Sequence, residues 1–234
     1  MRSGAMARLR RVVHGRVVGL LARYYRTGQR RELVKEIVEA PIDFTWSSPP
    51  YRGLRLGSMA VEWRGLLKPP YTGEYRVIIR VSWGHARLYL GNYLLVEGRA
   101  ESGGVYSSQP LRLTAGVYYP IRVEFMSSGQ RPGISLMWLR SDGLEEVVPR
   151  DSLYTYTSRV VRIRGVPGSH NVELWSVGRI SRGVVKGSEA VLELPDTPPP
   201  FEVYVRVVDP RSGRYIETNI VKDMWGGDVY ELLL

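Results

Sequence analysis

The chain has 234 residues, 44% hydrophobic and 10% aromatic, enough to bury a core as one large domain or two ordinary ones, which excludes global disorder. No cysteine is present, excluding a disulfide framework, a thiolate zinc site and a thiol nucleophile. The net charge of +10 is uneven: residues 1–31 carry Arg2, Arg8, Arg10, Arg11, Arg16, Arg23, Arg26, Arg30 and Arg31 and no acid, so the remainder is nearly neutral.

The basic character predicts an N-terminal arm over residues 1–16. Its partners would be phosphate, an anionic membrane surface or acidic patches on protein subunits; a solvated tail is the bland alternative. Any nucleic-acid contact would run through this arm. The apolar pairs and runs of residues 12–21 are split by His14-Gly15-Arg16, so they do not make a signal peptide. No stretch approaches the roughly 20 apolar residues of a membrane span. With 25 Gly and 15 Pro, and aromatics dominated by Tyr and Trp, composition favours short strands joined by turns, an all-β chain.

In chain order, residues 17–25 read as a strand closed by Thr27-Gly28. Residues 29–40 allow either a helical turn, from the spacing of Leu33 with Ile37 and Val34 with Val38, or an irregular excursion ending at Pro41. Ile42, Phe44 and Trp46 share one face of the next strand, and Met59, Val61 and Trp63 one face of the strand after it. Tyr75–Val81 and Ala86–Leu90 alternate cleanly, and a Gly91-Asn92 turn leads to a third central strand. Residues 98–109 are expected to be a surface loop. Residues 111–116 and 118–125 are expected to pair, residues 127–133 to form a second exposed loop, and Ile134–Trp138 to be the strand behind it.

The ordered blocks GLLARYY, IDFTW, VEWRGLLKPPYTGEY, RLYLGNYLLVEG, LTAGVYYPIRVEF, ISLMWL and VVPRDSLY resemble the PA-fourteen domain family over residues 17–154. The resemblance implies an antiparallel β-sandwich or barrel that acts as a binding module in adhesins, toxins, glycosidases and surface proteins. In the carbohydrate-binding branches it implies two adjacent aspartates ahead of the RLY strand that hold a calcium ion, a hard cation suited to carboxylate oxygens. Here those positions fall on Trp83 and Gly84, with His85 next, and no anionic oxygen is supplied. The expectation is therefore no metal, no cofactor and no calcium-dependent sugar binding.

Two readings of Trp83 stand: an exposed ring that stacks on a sugar or a partner, or a buried ring of the core. Candidate ligand contacts are Trp83, His85, Tyr93, Tyr106, Gln130 and Arg131. No nucleophile motif and no glycine-rich phosphate loop appears, and Asp43, Glu62, Glu74, Glu124, Asp142 and Asp151 show no pairing, so no enzymatic activity is expected.

After a 155–158 link, six short strands over residues 159–234 predict a smaller immunoglobulin-like β-sandwich. Asp223 and Asp228, beside a Gly-Gly turn, are either cation ligands or solvated. The apolar end, with Tyr230, Leu232, Leu233 and Leu234, is either the last strand of this domain or a strand that completes a neighbour's sheet. With Arg2, Arg8, Arg10, Arg11 and Arg16 it forms the candidate partner surface. The functional expectation is a non-catalytic structural and adhesive subunit of an extracellular, cell-surface or virion assembly, oligomeric. The alternative is a calcium-independent carbohydrate-binding module that stacks aromatic rings on glycan.

Overall fold

The computed structural model describes residues 7–156 and 158–234. They form two compact units: one spans Val18–Thr155, and the other combines the chain before Val18 with the chain after Thr155. The larger unit is thus inserted, in sequence, after the first strand of the smaller one.

The strands ahead of the larger unit are β1 Arg8–Val13 and, at the boundary, β2 Arg16–Val18. The larger unit contains β3 Leu20–Arg26, β4 Glu32–Glu39, β5 Asp43–Thr45, β6 Met59–Leu67, β7 Gly73–Ser82, β8 Gly84–Leu90 and β9 Tyr93–Ala100. It continues with β10 Gly104–Ser107, β11 Leu111–Leu113, β12 Tyr119–Ser127, β13 Gly133–Arg140, β14 Glu145–Val147 and β15 Leu153–Tyr156. The smaller unit adds β16 Val160–Arg164, β17 Asn171–Trp175, β18 Arg179–Lys186, β19 Glu189–Glu193, β20 Phe201–Val208, β21 Tyr215–Glu217, β22 Val221–Met224 and β23 Val229–Leu233.

The larger unit is two antiparallel sheets. One runs β4-β3-β6-β12-β8-β9; the other is centred on β7, paired with β13 on one side and with β10 and β11 on the other. Alternation sends Tyr24, Trp63, Leu88, Val123 and Phe125 of the first sheet and Tyr75, Ile79, Leu136 and Trp138 of the second into one core. Each fully buried Leu, Ile, Val or Phe contributes roughly 1.5–3 kcal/mol. The two-residue turn at Gly91-Asn92 takes a positive φ of 59° at Gly91, the conformation that keeps a tight hairpin in line with strand twist.

Three segments depart from the sequence reading. Residues 32–39 are neither a helical turn nor an irregular excursion but the edge strand β4, paired with β3 from Leu20↔Glu39 to Arg26↔Glu32; Val34, Ile37 and Val38 suit a pleated surface, and β3 supplies the hydrogen bonds. The expected 98–109 loop holds the end of β9 and all of β10, because Tyr106 anchors the segment between Gly98 and Gly104. Residues 111–113 pair with β7, whereas β12 pairs with β6 and β8.

The smaller unit follows a strand path β1-β23-β16-β19-β18-β17-β20-β21, antiparallel except for the β16–β23 pair, around a core including Leu9, Ile163, Leu174, Val205 and Leu232. Residues 8–13 are therefore not a solvated arm. They pair with β23 from Arg8↔Leu233 to Val13↔Val229, and Ala7 bridges Thr218 beyond the far end of the path, which closes it through β1 and leaves fewer open edges. The N-terminal charge is met here too: Arg10 pairs with Glu231, and Arg11 with Asp223 and Asp228. That removes the basis for nucleic-acid contact through Arg10 and Arg11. The terminal strand belongs to its own unit, with Tyr230 and Leu232 buried and Leu233 and Leu234 exposed. Arg2 lies outside the described residues.

Candidate functional site

Strand β7 lies in one sheet of the larger unit and β8 in the other, and Trp83 is the single residue between them. It is the one described non-glycine residue with positive φ, 46°, a left-handed conformation that costs on the order of 1–3 kcal/mol and persists only where the surroundings hold it. Those surroundings are visible. The Trp83 carbonyl accepts the Ser128 N–H at 2.9 Å, and the ring lies on Gly129, where a Cβ would come within 2.4 Å of it. Ser82 Oγ donates to the Arg131 carbonyl at 3.4 Å. Gly84 is equally constrained, since a Cβ there would meet the Phe125 ring at 2.4 Å.

Trp83 is 40% exposed and so is not a buried core residue. The β12–β13 loop brings the exposed Gln130 and Arg131 to the same end of the domain. Other predicted contacts do not join them. Tyr93 is 79% exposed but sits at the far end of β8, about 20 Å away at 3.3 Å per residue. Tyr106 donates its hydroxyl to the Arg99 carbonyl and covers Gly98 and Gly104, a structural use of the ring. His85 shares Glu97 Oε1 with Arg87, each at 2.8 Å. Hydrogen bonds from Arg87 and then His85 hold the Glu97 carboxyl below the usual range.

A cleft of about 400 Å³ opens on the outer face of the β7 sheet, lined by Thr45, Arg80, Ser82, Val105, Gly133 and Ser135 among others; Ser82 is the chain neighbour of Trp83. Strand register puts Val105, Arg80, Ser135 and Asp43 in one row across four strands. Ser135 Oγ donates to Asp43 Oδ1 at 2.5 Å, and Arg80 pairs with Glu145 at 2.7 Å. The row thus combines hydroxyl, guanidinium and carboxylate groups on a fixed sheet with a glycine-bordered rim. Sequence alternation places Arg80 outward, but only the register reveals its neighbours.

The residues present do not fit a calcium ion of the kind the family resemblance implies. Trp83 and Gly84 offer no carboxylate, the facing loop offers Arg131, and no group of three metal-ligating side chains occurs among the described residues. One carboxylate pairing was invisible in the sequence: Glu62 and Glu124 stand directly opposite each other on β6 and β12. Arg64 holds Glu62 through two hydrogen bonds and Arg122 holds Glu124 at 2.5 Å, so both carboxylates are neutralised within the sheet.

In the smaller unit, Asp228 is fully buried and not a solvated turn residue. It accepts hydrogen bonds from the Gly15 and Trp225 N–H groups and the Tyr230 hydroxyl, with Arg11 Nε at 3.1 Å and His14 Nδ1 at 3.5 Å. Burial, then the Asp228 charge, pushes the Tyr230 hydroxyl well above its ordinary pKa. These contacts are structural: they tie the first strand to the last.

The anti-sigma-I factor RsgI3 of Acetivibrio thermocellus is 30% identical over 140 residues, 59% of this chain and 22% of that protein, so the chain spans under a quarter of that relative's length. An anti-sigma factor domain-containing protein from Clostridium clariflavum superposes with TM-score 0.53 at 20% identity, covering 92% of this chain and 88% of the other. A PA14 sugar-binding domain from an RTX adhesin superposes with TM-score 0.50 at 13% identity, covering 60% of this chain and 99% of that domain. At these identities the structural likeness is one of fold. The PA14 domain model matches residues 18–152, more than half of the chain and nearly the whole larger unit, and the chain belongs to the PA14 domain family.

Proposed function

We propose that the larger unit is a non-catalytic, calcium-independent carbohydrate-binding module of a surface or extracellular protein. The observation that carries this reading is Trp83, an exposed residue held in a left-handed backbone conformation at the sheet crossing, next in the chain to Ser82 of a cleft that also holds the Thr45 and Ser135 hydroxyls and Arg80. Aromatic faces stack on the C–H faces of sugar rings while polar groups on a rigid sheet meet the hydroxyls. The similarity in fold to the PA14 sugar-binding domain of an RTX adhesin supports the same class of ligand. Non-catalytic action fits the arginine-capped state of Glu62 and Glu124. The expectation of a virion subunit is set aside, because the similar proteins described above include a sugar-binding domain and anti-sigma factor proteins.

The test is a glycan array probed with the full chain in calcium and again in chelator. The proposal expects the same glycans bound in both conditions and their loss in Trp83→Ala with unfolding unchanged. Binding that disappears with chelator, or survives Trp83→Ala intact, refutes it.

A further inference from the structure

A second cleft, of about 190 Å³, lies on the outer face of the other sheet, lined by Thr27, Arg31, His85, Arg87, Glu124 and Met126 among others. Register arranges two rows beneath it. One runs Arg23, Glu62, Glu124, Arg87, Glu97 across five strands; its neighbour runs Tyr25, Ala60, Met126, His85, Arg99. In the first row every carboxylate has an arginine partner: Glu62 has Arg64, Glu124 has Arg122, and Glu97 has Arg87.

The cations are not all used. Among the described residues no ion pair forms to Arg31, whose guanidinium carbon sits 3.8 Å above the Tyr25 ring, nor to Arg99 in the second row. Arg87 spends Nε on Glu97, leaving its terminal nitrogens without a carboxylate. Arg31 lines the cleft, and Arg99 is the register partner of the lining residue His85 one strand further on, so both add positive charge that no carboxylate pairs. The cleft wall is otherwise apolar at Met126, which is 54% exposed.

We infer that this cleft takes the acidic substituent, carboxylate or sulfate, of an anionic polysaccharide, with Arg31 and Arg87 as its hydrogen-bonding cations. A planar guanidinium matches either oxyanion with paired N–H donors, and Met126 offers an apolar surface to the attached sugar. The inference rests on the carbohydrate reading for the class of polymer and on this cleft alone for its charge.

The experiment measures full-chain binding to two matched pairs: polygalacturonate against its fully methyl-esterified form, and dextran sulfate against dextran. The acidic member of at least one pair binds, its neutral partner binds at least tenfold more weakly, and affinity falls as salt rises. Which pair responds separates carboxylate from sulfate. Arg31→Ala and Arg87→Gln each weaken acidic binding by about tenfold or more, the scale of a lost hydrogen bond to a charged group. Arg52→Ala, at an exposed arginine outside the cleft, leaves it unchanged, and melting curves confirm that all variants fold. Equal binding of acidic and neutral members, no binding to either acidic polymer, or unaltered acidic binding in both folded cleft variants overturns the inference. Trp83→Ala is measured in parallel: loss of neutral-glycan binding with acidic discrimination retained separates the cleft from the Trp83 site, and each claim can fail alone.

Discussion

Asp228→Ala tests the account of the smaller unit most sharply. The carboxylate is fully buried and accepts from Gly15 N–H at 2.7 Å, Trp225 N–H at 2.9 Å and Tyr230 O–H at 2.8 Å, with Arg11 at 3.1 Å. Alanine leaves three donors without an acceptor, each costing about 1–3 kcal/mol if buried. Arg11 keeps Asp223 at 2.9 Å, so its charge is not stranded. The three sum to about 3–9 kcal/mol, whose lower part, about 3–5 kcal/mol, is the range for breaking a buried ion pair and a large part of the ~5–15 kcal/mol typical of a domain. Hydrogen exchange reads the effect strand by strand: amides of β1 and β23 lose protection, while those of β6, β7 and β12 in the other unit do not. Asp223→Ala is the internal control, because its side chain is 58% exposed and its pair with the same arginine is worth at most ~1 kcal/mol. A loss under 1 kcal/mol in Asp228→Ala, or equal losses in both variants, refutes the reasoning.

Deleting residues 1–13 removes the strand that closes the path of the smaller unit, and limited proteolysis should then cut after residue 158 while the larger unit stays resistant; a resistant smaller unit would restore the solvated-arm reading. Glu39 accepts from Tyr24 Oη and Trp63 Nε1, each at 2.7 Å, yet burial outweighs these bonds and holds its carboxyl above the ordinary range. A raised carboxyl contributes stability that is full below its unfolded pKa and lost as pH rises through the folded one. Glu39→Gln should therefore raise the melting temperature more at pH 7 than at pH 4, and an equal or lower value at pH 7 would contradict the sign. Gly129→Ala drives a Cβ to 2.4 Å from the Trp83 ring, so melting should fall by the equivalent of about 1–3 kcal/mol and glycan affinity should drop with it; unchanged binding would detach the ring from its support.

What the sequence made legible was local. Met59, Val61 and Trp63 share a face as a strand would have them, within the strand Met59–Leu67, and the Gly91-Asn92 turn sits where its glycine places it. Residues 32–39 were ambiguous because Leu33 with Ile37, and Val34 with Val38, satisfy both a helical and a two-residue period; only pairing with β3 decides. The β1 strand was hidden by its arginines, whose partners Asp223, Asp228 and Glu231 lie more than 200 residues away in the chain. The Glu62–Glu124 pair and the Arg80–Ser135–Asp43 row are likewise properties of register, which periodicity does not carry. For Trp83 the sequence supplied the residue at the metal position and its missing carboxylates, but the exposure of the ring depends on Gly129 from a distant loop.

The most direct measurement of the central claim is the affinity of the full chain for its best array glycan by calorimetry, wild type against Trp83→Ala, in excess chelator. The account predicts unaltered wild-type affinity without calcium and a loss of about 1–3 kcal/mol of binding free energy in the variant, the scale of one aromatic stacking contact. Calcium-dependent wild-type binding, or equal affinities for the two proteins, would contradict it.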